Sequence, residues 1–169
     1  MLGRSPLVFA SGFGVAVLYI VAGLGAQLQM YGDASIFAYS VAVEDAWQFH
    51  WHNISGRAFS YVFAYVPAEA YVGLTRDARG GVFIYGFLHF SAPLLGLLAT
   101  RAVDRSPRRT ILGWACLSTA CVCPLVFGFP TEMWMAHALF WPALALCLYA
   151  PATPRGAALV FVTLVALVF

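Results

Sequence analysis

Sixteen consecutive residues, Glu44 to Phe59, read "EDAWQFHWHNISGRAF" and hold two acids, two histidines, an asparagine and an arginine. Each type has a chemistry. A carboxylate takes a proton from a hydroxyl, and an arginine pairs with a phosphate. Imidazole and carboxylate together suit a divalent ion. Glu44 or Asp45 with His50 and His52 would form such a metal set, but the two histidines share a face only in an extended chain. No metal is therefore expected at this cluster, and the sequence specifies no cofactor. Asp33, a few residues upstream, is a further candidate base.

The surroundings of this cluster are apolar. Hydrophobic residues make up 62% of the chain and charged ones 9%, with a mean hydropathy of +0.83. Such a balance lies outside the range of soluble domains and suits lipid. The nine basic residues are all arginine, and the net charge of +2 is too small for a nucleic-acid partner. Membrane lipid is the expected partner instead. Cys116, Cys121, Cys123 and Cys147 fall inside apolar runs without paired CxxC spacing and read as packing residues.

About 20 apolar residues of helix cross a bilayer. Runs of this kind are 7–30, 81–100, 110–129 and 133–150, with a further one opening at 156 and incomplete at 169. The chain therefore reads as an all-α, polytopic integral membrane bundle, expected to be the N-terminal portion of a longer protein. If 59–74 does not cross, Arg4, Arg101, Arg105, Arg108, Arg109 and Arg155 share one side, against Arg57, Arg76 and Arg79 on the other. Six against three places the N-terminus in the cytoplasm. Residues 31–80 then form an external loop carrying interfacial amphipathic helices, with Pro67 and Glu69 in the first turn of one of them.

This arrangement puts Asp33, Glu44, Asp45, Glu69, Asp77 and Glu132 outside and Asp104 alone inside. His89 falls within the second span, where an ionisable residue faces the bundle interior or water. Pro93 withholds the N–H that would bond the His89 carbonyl, so a kink is expected there. Thr131 and Glu132 read as the start of the fourth span, with Glu132 either in its first turn against the helix dipole or pointing into a polar pocket at the outer face.

The order of parts resembles the multi-pass, lipid-linked-sugar glycosyltransferases of the C type, in their glucosyltransferase-like branch. The likeness lies in a first span ending shortly before an acid ("MYGDASIFAYS"), an external loop, and "HNISGRAFSYVF", which is similar to that branch's Asn-Gly-Arg-Phe type segment. It implies a polyprenyl-phosphate sugar donor and transfer at the outer face of a bacterial inner membrane. It also implies a loop acid as catalytic base: Asp33 matches best and Asp45 next, with Glu44 beside it. Substrate contacts would come from His52, Asn53, Arg57, His89 and Glu132. Two other classes stay open on the residues alone. A transporter or ion-coupled carrier would use an intramembrane histidine and proline-broken helices, and a noncatalytic scaffold would use the external loop to hold a partner.

Overall fold

A computed structural model of the chain describes residues 5–45, 58–125, 132–149 and 153–168. Among them every regular element is helical, as a chain that must satisfy its backbone groups internally requires. Helix α1 spans Pro6–Gly25, with Pro6 at the first helical position, where a missing N–H costs nothing. Helix α2 spans Asp33–Ala42. Helix α3 covers 58–75 in three pieces: Ala58–Ser60, a π-helical stretch Tyr61–Tyr65, and Val66–Thr75. Helices α4 (Ala78–Val103), α5 (Thr110–Leu125), α6 (Glu132–Tyr149) and α7 (Pro154–Val168) complete the order.

The π stretch in α3 has a local cause. Pro67 has no N–H to offer the carbonyl four residues earlier. The chain widens by one residue just before it, with the Val66 N–H bonding the Tyr61 carbonyl. By contrast, Pro93 sits inside α4, which continues unbroken to Val103, and no break follows the expected kink. Asp77 caps α4 by accepting from the Gly80 N–H at 3.0 Å.

Helix α4 is the axis of the fold and touches α1, α2, α3, α5 and α6. Two glycines set the closest approaches. A Cβ built on Gly12 would lie 2.5 Å from the Cys116 Cα, and one on Gly96 would lie 2.5 Å from the Ala138 carbonyl oxygen. Small residues are what allow helix backbones to meet so closely. Around α4 the core forms three clusters: Tyr19, Phe90, Cys123 and Trp134; Phe37, Tyr65, Val72, Tyr85 and Met135; and Ala16, Leu97, Leu112, Ala115 and Cys116.

The bundle has two distinct ends. At one, the first turns of α1 meet Arg101, Arg109 and Leu112 around a single groove. At the other, the end of α1, the end of α2 and the first turns of α4 meet, and Glu44 pairs with Arg76. The first turns of α1 and the arginine-rich turn after α4 therefore share one end.

Helix α3 departs from the expected interfacial placement. Its later residues Ala68 and Val72 pack at Gly81, and Tyr65 meets Tyr85 with ring centroids 5.2 Å apart. Phe59 and Phe63 share a small apolar groove with Ala92, Leu95 and Gly96. Helix α3 thus runs antiparallel alongside α4 for most of its length. The cause is its buried stripe of Ser60, Ala64, Ala68 and Val72, whose small residues fit it to a neighbouring helix better than to a headgroup plane.

The turn between α4 and α5 is built on Asp104, which is buried. Its carboxylate accepts from the Ser106 N–H at 2.8 Å and the Leu112 N–H at 2.9 Å. Asp104→Ala leaves two buried donors unsatisfied and should cost roughly 1–3 kcal/mol, read as a lowered unfolding midpoint in detergent; Asp104→Asn, which keeps an acceptor, should recover part of the loss. Replacing Gly96 by Val should force α4 and α6 apart, at a cost of about 1–3 kcal/mol by the same measurement.

Candidate functional site

The end of α1 shapes the candidate site. The helix stops at Gly25 rather than at Met30, because Gln27 takes a left-handed φ of 54° and a 3-10 turn, Leu28–Met30, follows it. The turn swings Gln29 back onto α4 at Gly86, where a Cβ would meet the Gln29 Cβ at 2.9 Å. Gln29 is only 5% exposed as a result. Gly32, at φ 55°, then reverses the chain into α2, a conformation that suits glycine.

Between this turn, Ala42 and the first turns of α4 lies an open groove of about 680 Å³. Leu24, Met30, Val82 and Phe83 are its apolar walls, and Gln27, Gln29 and Arg79 its polar groups. The Gln29 carbonyl oxygen is buried and has no hydrogen-bond partner among the described residues. An orphaned buried acceptor costs about 1–3 kcal/mol and calls for an explanation. Arg79 is exposed, and no carboxylate pairs with it among the described residues. An apolar trough with one exposed cation fits an amphiphile that carries an anion.

The acids stand around this groove rather than in it. Glu44 Oε1 pairs with Arg76 Nη1 at 3.1 Å, with the side chains 40% and 81% exposed, a geometry worth under about 1 kcal/mol. Arg76 does not pair with Asp77, its neighbour in the chain. Asp77 instead accepts from the Gly80 N–H and, at 3.4 Å, from the Tyr71 hydroxyl. Asp45 ends the turn after α2, its N–H donating to the Ser40 carbonyl at 2.9 Å. Its exposed carboxylate has no partner among the described residues. Asp33 begins α2, two residues after the turn that carries Met30; its side chain, like that of Glu132 at the start of α6, is outside the described part.

Of the remaining sequence candidates, the described one, His89, does not join this site. His52, Asn53 and Arg57, with His50, lie outside the described residues. His89 is 2% exposed and packs edge-on to Tyr85 at 4.7 Å and Tyr65 at 5.7 Å. It is ten residues beyond Arg79 on α4, about 15 Å along the axis. His137 lies on α6, where its Nε2 shares a 3.0 Å hydrogen bond with the Ser118 hydroxyl of α5. Among the described residues no group of three His, Cys, Asp or Glu side chains is placed to hold a metal.

Sequence reasoning missed Gln29. The available signal was two glutamines, Gln27 and Gln29, at the end of an otherwise uncharged apolar run. No protein-family model, curated protein or solved structure matches the chain.

Because the Gln29 amide is buried with its carbonyl unfilled, Gln29→Leu, of similar volume, should leave stability within about 1 kcal/mol of the parent or raise it. Thermal unfolding in detergent measures this. A loss above about 2 kcal/mol would show that the amide holds the fold together.

Proposed function

We propose that this chain is a multi-pass protein of a bacterial inner membrane, with its N-terminus in the cytoplasm, that binds a polyprenyl-phosphate sugar in the groove beside Arg79 and transfers the sugar to an acceptor. Membrane association is supported by α1 and α4, both long and apolar enough to cross a bilayer. The observation that carries the substrate class is the groove itself: apolar walls and an exposed Arg79 with no carboxylate partner among the described residues, at the end of the bundle where Glu44 and Asp45 stand.

The chemistry assigned to these groups is simple. The donor phosphate pairs with Arg79, its isoprenoid chain follows Leu24, Met30, Val82 and Phe83 toward the lipid, and the sugar lies beside Gln27 and Gln29. The acceptor oxygen attacks the anomeric carbon, the bond from that carbon to the phosphate oxygen breaks, and polyprenyl phosphate leaves with its charge still paired to Arg79. Asp45 takes the acceptor's proton. Glu44 is not assigned this role because Arg76 engages its carboxylate. Asp33, the residue the family resemblance favours, is the first residue of α2.

The test is transfer of labelled sugar from a pool of polyprenyl-phosphate donors by the full chain in membranes. Asp45→Asn should lower the rate by about 100-fold or more, and Arg79→Gln should raise the donor KM about tenfold. Loss in Asp33→Asn with Asp45→Asn active would reassign the base. Absence of transfer from any donor overturns the enzymatic reading.

A further inference from the structure

The opposite end of the bundle holds a second groove, and we infer that it binds an anionic glycerophospholipid of the cytoplasmic leaflet. This inference rests on the membrane placement given above and is independent of sugar transfer. The groove, about 470 Å³, lies between α1, α4 and α5, with Phe9, Phe13 and Leu112 as apolar walls and Arg101 and Arg109 as its charged groups.

Three features make it a site rather than a chance hollow. First, the charge is uncompensated. Asp104 is the acid of this turn, and both its oxygens are used inside the fold on the Ser106 and Leu112 N–H groups. Among the described residues no carboxylate pairs with Arg101, Arg105, Arg108 or Arg109, all of which are exposed. Second, Arg109 is positioned: its Nη1 donates to the Arg101 carbonyl at 2.7 Å, which holds the guanidinium across the last turn of α4. Third, the backbone is strained to present this turn. Arg108 and Arg109 take left-handed φ values of 61° and 54°, which non-glycine residues seldom adopt.

The walls decide the occupant. A free phosphate would satisfy the arginines and leave Phe9, Phe13 and Leu112 facing water. A phosphodiester lipid fills both halves, with its headgroup on Arg101 and Arg109 and an acyl chain along Phe9 and Phe13. The position also fits, since anionic lipid and basic residues meet on the cytoplasmic face.

Native mass spectrometry of the delipidated full chain, titrated with phosphatidylglycerol or phosphatidylcholine, tests this directly. Phosphatidylglycerol should bind at least about tenfold tighter, and 10 mM inorganic phosphate, a probe concentration chosen at roughly ten times a weak anion's Kd, should fail to displace it. Arg101→Gln, which leaves the Arg109 bond to the Arg101 backbone intact, should weaken binding about fivefold, and adding Arg109→Gln about fivefold more. Arg76→Gln, an exposed arginine at the opposite end that lines neither groove, should leave phosphatidylglycerol binding unchanged, and unchanged helical circular dichroism confirms that the variants fold. Equal affinity for the two lipids, displacement by phosphate, or loss of phosphatidylglycerol in Arg76→Gln alone would each overturn the assignment. None of these readings depends on transferase activity.

Discussion

The close approach of helix backbones to α4 is the constraint on which the rest of the structure depends. In an apolar chain, hydrophobicity alone does not choose between helix faces, because lipid and protein interior are equally dry. Shape must choose. Gly96 lets α6 lie against α4 at Ala138, and Gly12 lets α5 lie against α1 at Cys116. Tyr19, Phe90 and Trp134 fill the angle between these contacts, with the Tyr19 ring 5.2 Å from Phe90 and 4.9 Å from Trp134. Once these pairs are fixed, the two ends of the bundle follow, and so do the grooves at each.

Charge is partitioned between the ends by the same packing. The turn after α4 spends its acid on capping and shows its arginines. The other end joins Glu44 to Arg76 and uses Asp77 as a helix cap, which among the described residues leaves Arg79 and Asp45 without an ion-pair partner. The histidines in the middle, buried His89 among Tyr65 and Tyr85 and half-buried His137 on Ser118, belong to helix contacts rather than to either groove.

Much of the helical framework was legible in the sequence, because an apolar run bounded by arginine, proline or acid leaves few alternatives: α4 and α6 lie close to the runs 81–100 and 133–150. Two features were not legible, for a common reason. Residues 58–75 are short, aromatic and carry Pro67, which suggests a helix lying flat; their course along α4 depends on Gly81 accepting Ala68 and Val72. Gln29 enters the candidate site only because Gln27 turns left-handed and Gly86 leaves room for it. Both are tertiary decisions, taken by a distant glycine. Local spacing carries no sign of them.

The account rests on the membrane placement of these two ends, and labelling with a membrane-impermeant maleimide tests it most directly. In a variant of the full chain freed of Cys116, Cys121, Cys123 and Cys147, Leu74→Cys, exposed beside Arg76, should be labelled in intact cells. Arg105→Cys should be labelled only after the inner membrane is permeabilised. Labelling of Arg105→Cys in intact cells, or recovery of the chain from the soluble fraction, would contradict the account.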